Sequence, residues 1–247
     1  LTAVILIPGD TDSISPGLFP FYIWHFPTVV SLIKGGKMND KYKEVVEKNL
    51  AYFSKTLEKF KDEHSAVAQS KTSHLKRFEK MLELGDFQGK SIIDVGCGIG
   101  GFYDFLQKKG IQCRYTGIDI NDKMIARAQE RLPDTAANFF VFDIIEEKLD
   151  KAFDYVISVG PLNLEFDSNL NMDMTKRLID EMYRLAKIGS AISMTSAFTK
   201  KPTAGTFYYD PAKILSETSK FCANTRYDHT YLPHDFTLFC YKKDLYS

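Results

Sequence analysis

The sequence has too few cysteines, set too far apart, to be organised by them. Cys97, Cys113, Cys222 and Cys240 form no CxxC pair and no Cys/His cluster. A disulfide frame and a zinc site are therefore excluded as the organising device, no other metal-ligand cluster is visible, and the thiols read as those of a reduced, cytoplasmic protein. Net charge is also missing, because 32 Lys plus Arg balance 32 Asp plus Glu. Proteins that grip duplex nucleic acid normally carry a basic footprint, so duplex nucleic acid is not expected as the partner. No uninterrupted apolar run reaches the roughly 18 residues that a membrane span requires. No repeat or low-complexity tract appears.

What is present divides into three stretches. Residues 1–37 stand apart: LFPFYIWHFPTVVSLI (18–33) is apolar but holds two prolines and a histidine, with no basic segment before it. It fits a signal peptide poorly. KGGK then precedes Met38, and purine-rich codons for Lys-Gly-Gly suit a ribosome-binding site. Met38 thus reads as a candidate natural start, against a genuine N-terminal arm. Residues 38–86 read as a helical cap. Tyr42, Val45, Val46, Leu50, Phe53, Leu57 and Phe60 recur at three- and four-residue steps, and Leu75, Phe78, Met81 and Leu82 form a second run closed by Gly85.

From residue 87 to 247 strands and helices alternate. SIIDVG (91–96), CRYTGIDI (113–120), NFFVFDI (138–144), FDYVISVG (153–160) and AISMTSAF (191–198) read as strands. Between them lie helices starting near Gly100, capped by Asn121, and containing Leu178, Ile179, Met182 and Leu185 up to a stop at Gly189. Asp210-Pro211 opens a last helix, and RYDHTYL and DFTLFCYK flank Pro233-His234 as an antiparallel pair. The pattern predicts an α/β, Rossmann-like doubly wound sheet of about seven strands, mostly parallel with a C-terminal antiparallel strand, plus N-terminal helices.

The chemistry concentrates at the strand ends. Gly96, Gly98 and Gly100 let backbone approach a ligand closely, ahead of a helix with free N–H groups. Gly96-x-Gly98-x-x-Gly101 also satisfies the dinucleotide fingerprint, which keeps an NAD-dependent oxidoreductase as an alternative. Asp94 sits two residues before the first glycine, where a carboxylate suits a cation and repels a pyrophosphate. Asp119 ends the second strand, 19 residues after Gly100, where an acid can accept ribose hydroxyls. Asp143 ends the third strand, within reach of an adenine amino group. Three acids on three successive strands describe a pocket for adenosine joined to a positively charged tail.

In these residues the chain resembles the class I S-adenosylmethionine-dependent methyltransferases. IIDVGCGIGGF looks like their first motif, GIDI their second and FVFDI their third, with YVISVG as fourth strand, over roughly residues 70–243. The resemblance implies S-adenosylmethionine as cofactor, with the glycine turn at its methionine part, Asp119 at the ribose, and Asp143 with Ile144 at the adenine; Ile120 belongs to the same set. HLKRF, VGPLN, FYYDP and HTYLPHDFTL resemble a generic small bacterial and archaeal branch, which names no acceptor.

The acceptor side is written less plainly. Gly160-Pro161-Leu162-Asn163 stands where base- and glutamine-methylating enzymes often carry Asn/Asp-Pro-Pro-aromatic, so a small-molecule acceptor at oxygen or nitrogen is expected. Asn163 is a candidate for orienting it, or a loop cap. His229 and His234 flank the last turn as candidate bases, each weighed against a strand-end histidine bonded to backbone. Tyr208 and Tyr209 read as core packing rather than pocket wall. Arg77 reads equally as an anion contact or a surface salt bridge, and His64 and His74 as residues of solvated helix faces. The N-terminal helices are expected to cover the pocket. A non-catalytic S-adenosylmethionine-binding module is the remaining alternative, and the oligomeric state is not readable.

Overall fold

A computed structural model describes residues 40–60, 70–133, 135 and 137–243. The expectations for residues 1–37, for Met38 and for His64 lie outside the described residues. Two helices precede the sheet, α1 (Asp40–Lys59) and α2 (Lys71–Met81). Ser70 caps α2, its Oγ accepting from Ser73 N–H at 3.2 Å. A 3-10 turn (Leu82–Leu84) leads to Gly85, where a Cβ would run into the Tyr155 hydroxyl.

The strands are β1 (Ser91–Val95), β2 (Arg114–Asp119), β3 (Asn138–Val141), β4 (Phe153–Val159), β5 (Ala186–Thr195), β6 (Asn224–Leu232) and β7 (Asp235–Tyr241). They form one sheet in the order β3-β2-β1-β4-β5-β7-β6, parallel except for β7, which pairs antiparallel with both β5 and β6. The helices between are α3 (Gly101–Lys108), α4 (Asp122–Arg131), α5 (Ser168–Leu185) and α6 (Pro211–Thr218). Asn121 caps α4 through bonds from Lys123 and Met124 N–H, and Asp210 caps α6 through Ala212 N–H, so both predicted starts are local side-chain devices.

Strand alternation divides the core between the two faces of the sheet. Ile93, Val95, Val156 and Ile192 pack with Leu178 and Met182 of α5 and Ile214 of α6. Ile92, Tyr115, Ile157 and Phe239 pack with Phe78 and Met81 of α2 and Phe102 and Leu106 of α3. The fifth strand corrects the sequence expectation, because α5 stops at Leu185 and β5 begins at once at Ala186. Gly189 is a strand residue, not a helix stop. A Cβ there would meet Cys240 O of β7 at 2.9 Å, so its absence lets the β5 and β7 backbones close.

Helix α2 is fastened to the far side of the sheet. Arg77 sends Nε and Nη2 to Asp235 Oδ2 at 2.8 and 2.7 Å, with both side chains nearly inaccessible. Lys80 bonds Asp228 at 2.9 Å, and the His74 ring lies tilted against that of Phe78 with centroids 4.1 Å apart. Arg77 is therefore a buried partner rather than a surface or ligand-facing cation, and His74 is buried rather than solvated. Burial raises the Asp235 pKa, and the guanidinium of Arg77 pulls it back. Breaking such a pair leaves one buried charge uncompensated, at a cost of about 3–5 kcal/mol. Arg77→Met is expected to lower the urea-unfolding free energy at pH 7 by about that amount, and adding Asp235→Leu to restore most of it. A single-variant loss below about 1 kcal/mol would show that the pair is not what holds α2.

Candidate active site

A cavity opens at the C-terminal edge of the parallel strands, where the order reverses at β1. It opens to solvent on one side and is walled by α1 and by the ends of four strands. The end of β2 supplies Asp119 to its wall, and the turns after β1, β2, β3 and β4 supply Gly96, Gly98, Ile120, Asp143, Ile144 and Gly160. Gly96 and Gly98 have φ of 73° and 54°, a conformation that L side chains rarely adopt. Asp119 and Asp143 are the charged side chains among the lining residues, and no Lys or Arg stands with them.

The two carboxylates are held by backbone. Asp119 Oδ2 accepts from Gly98 N–H at 3.0 Å and Oδ1 from Asn121 N–H at 2.9 Å. Asp143 Oδ1 accepts from Ile145 and Glu146 N–H at 3.0 and 3.3 Å, and Oδ2 from the Tyr42 hydroxyl at 2.7 Å. Desolvation raises both carboxyl pKa values, and these hydrogen bonds oppose it. β3 ends at Val141, so Asp143 and Ile144 stand in the following turn rather than in the strand.

Two of the predicted cofactor residues point elsewhere. Asp94 shares the strand face of Ile92, is 2% exposed, and takes a short hydrogen bond from the Tyr115 hydroxyl of β2. It does not line the cavity, so the negative charge there comes from Asp119 and Asp143. Gly100 serves packing: a Cβ on it would meet Leu132 at 2.8 Å and Phe139 at 3.0 Å.

The acceptor-side candidates also lie off the cavity wall. Asn163 Oδ1 accepts from the Thr195 hydroxyl at 3.2 Å, and its carbonyl from Phe207 N–H at 2.9 Å. His229 Nε2 is buried without a hydrogen-bond partner, its ring 6.0 Å from that of Phe198. His234 has a 38% exposed side chain with Nε2 3.7 Å from Asp235 Oδ2. Tyr209 is core, as expected, and its hydroxyl donates to Leu162 O at 2.6 Å, fixing the turn that carries Pro161 and Leu162 to the wall. The described residues contain no cluster of His, Cys, Asp and Glu fit for a metal.

Of the two N-terminal helices expected to cover the pocket only α1 does, and sequence reasoning did not name its wall residues Tyr42, Val45, Val46, Asn49 and Phe53 as site residues. A signal was available, since Asn49 is a polar residue set inside an otherwise apolar helical stripe. Asn121 Nδ2 tethers this helix from the other side, reaching Ser54 Oγ at 3.3 Å and Leu50 O at 3.5 Å.

Asp94 generates a pH prediction. Burial raises its carboxyl from 3.8 to about 7, against the Tyr115 bond, which lowers it. The folded chain then holds this proton more tightly than the unfolded chain. Its stabilising contribution is complete below pH 3.8 and is lost as pH rises to about 7. Urea-unfolding free energies measured from pH 4 to 8 are expected to fall across that window in the native chain, and to fall less steeply in Asp94→Asn. Identical slopes would show that Asp94 ionises freely in the folded state.

Known proteins share the family and the fold. A sequence profile for the family described as "Methyltransferase domain" matches residues 86–245. A Mycobacterium tuberculosis protein named only as a methyltransferase is 25% identical over 154 residues, 60% of this chain and 88% of that one. The (S)-tetrahydroprotoberberine N-methyltransferase of Eschscholzia californica is 26% identical over 157 residues, 59% of this chain but 43% of its own length. The crystal structure of magnesium protoporphyrin IX methyltransferase from Synechocystis with bound S-adenosylmethionine superposes with a TM-score of 0.56 at 16% identity, covering 85% of this chain and all of that one. The chain belongs to the methyltransferase family that the profile describes, as a class I enzyme dependent on S-adenosylmethionine.

Proposed function

We propose that the enzyme methylates an oxygen or nitrogen atom of a small-molecule acceptor, and that the cavity beneath α1 is its cofactor site. The observation that carries the placement is the charge of the wall: two half-buried carboxylates and no basic side chain among the lining residues. That combination suits a nucleoside with a cationic tail and opposes the pyrophosphate of NAD. S-adenosylmethionine, when bound, supplies a methyl group made electrophilic by its sulfonium.

The roles of the chain's own residues follow from their remaining valences. The Asp119 carboxylate takes backbone N–H bonds from Gly98, Asn121 and Ile120, and of its about four acceptor positions this leaves one for a ribose hydroxyl. Asp143 is offered to the adenine amino group, with Ile120 and Ile144 as apolar walls, and Gly96 and Gly98 keep the backbone close to the methionine part. The acceptor lies toward Leu162 and Asn163, the side of the edge that continues to β5 and β7. His229 and His234 are assigned to that side as groups able to take a proton, required only where the acceptor atom must lose one. Positioning of acceptor against methyl supplies most of the rate. The names of relatives divide between nitrogen and oxygen acceptors, and the four free thiols favour a reducing, cytoplasmic setting. Among the described residues no helix is long and apolar enough to cross a membrane.

Calorimetric titration tests the cofactor placement. S-adenosylmethionine and S-adenosylhomocysteine are expected to bind and NAD not to. Asp119→Ala is expected to weaken both by roughly tenfold to a hundredfold, the worth of hydrogen bonds to a charged group. Unchanged affinity in the variant would remove Asp119 from the site.

A further inference from the structure

Tyr42 is joined to the site by an interaction that the sequence does not announce. Its ring is buried with Val45 and Met174, a role that phenylalanine would fill equally well. Its hydroxyl adds the bond to Asp143 Oδ2, across 101 residues of sequence. Both residues line the cavity. An ionised carboxylate offers about four acceptor positions. Ile145 N–H, Glu146 N–H and the Tyr42 hydroxyl fill three of them, two on Oδ1 and one on Oδ2.

We propose that Tyr42 is a positioning residue for purine selection: its hydroxyl orients Asp143 and leaves one open acceptor site on Oδ2 for an exocyclic amino group. The proposal rests on the reading that this cavity takes the cofactor's adenine. Charge balance supports it. Glu146 and Glu147 stand beside Asp143, and burial raises the pKa of all three acids. The Tyr42 bond is the largest of the interactions lowering that of Asp143, so it favours the ionised form, which accepts and does not donate. Without it Asp143 is more readily protonated and free to turn, and a protonated carboxyl can donate to a 6-oxo group as well as accept from a 6-amino group.

The probe pair is S-adenosylhomocysteine and S-inosylhomocysteine, titrated calorimetrically into the native chain, Tyr42→Phe, Asp143→Asn and the double variant. The native chain is expected to prefer the adenosine ligand. Tyr42→Phe is expected to shrink that preference by roughly threefold to tenfold, the net worth of one hydrogen bond. In the Asp143→Asn background the same change is expected to leave the preference unaltered. Equal weakening of both ligands by Tyr42→Phe would make Tyr42 a packing contact and overturn the proposal. Tighter adenosine binding in Tyr42→Phe would also overturn it, by showing that the hydroxyl competes for Asp143. Native chain that binds neither ligand would overturn the cavity reading itself, and native chain that binds both equally would overturn the assignment of Asp143 to the amino group. A circular dichroism melt of each variant confirms that the compared proteins are folded.

Discussion

The site depends on a reversal in the sheet. β1 has β2 on one side and β4 on the other, so the connections after β1 and β4 leave in opposite directions and a crevice opens between them. Ligand-facing groups at this edge hang from the ends of adjacent strands, held at strand spacing by the parallel ladders. Phe142 N–H bonds Asp119 O at 3.0 Å, and Gly96 and Cys97 N–H both reach Ile118 O, so the three turns are tied to one another before any ligand arrives. The hydrogen bond from Gly98 to Asp119 continues this lacing with a side chain. A site tied in this way keeps two carboxylates facing one cavity, which in a looser crevice would turn outward to solvent.

Desolvation and hydrogen bonding oppose each other throughout the cavity. Burial raises the carboxyl pKa of Asp119 and Asp143, and the donors that converge on them, backbone N–H groups on both and the Tyr42 hydroxyl on Asp143, oppose it. Asp94 shows the same desolvation with a single compensating bond, from Tyr115, and its pKa rises to about 7. Three aspartates at equivalent places in sequence thus meet the same desolvation with different numbers of N–H and O–H donors.

The two N-terminal helices do different work. α1 lies over the cavity and is attached through Tyr42 at one end and the Asn121 tether toward the other. Its exposed ion pair, Lys123 to Glu58, adds little in water. α2 packs on the opposite face and is latched to β7 by a buried ion pair at the same sheet edge. The Arg77–Asp235 pair also places a carboxylate beside His234 on the side assigned to the acceptor.

Much of this was legible in the amino-acid order. Period-two apolar runs, glycines with positive φ, the Asn121 and Asp210 caps and the acids at Asp119 and Asp143 are local signals, and local backbone sterics enforce them. What the order of residues left open was the face on which each strand-end group lies. A strand buried on both sides reads as continuous apolar sequence, so alternation alone did not say whether Asp94 or Val95 looks into the crevice; the packing of Tyr115 against Asp94 decided it. Gly189 resembled a helix stop until β7 was found against it, and Arg77, His74 and Tyr42 acquired partners from 4 to 158 residues away. The sheet, the glycine turn and the acids can be read from residue order, because each is written within a few residues. Which helix covers the cavity, which carboxylates charge it and which helix is latched depend on groups that meet only after the chain has closed.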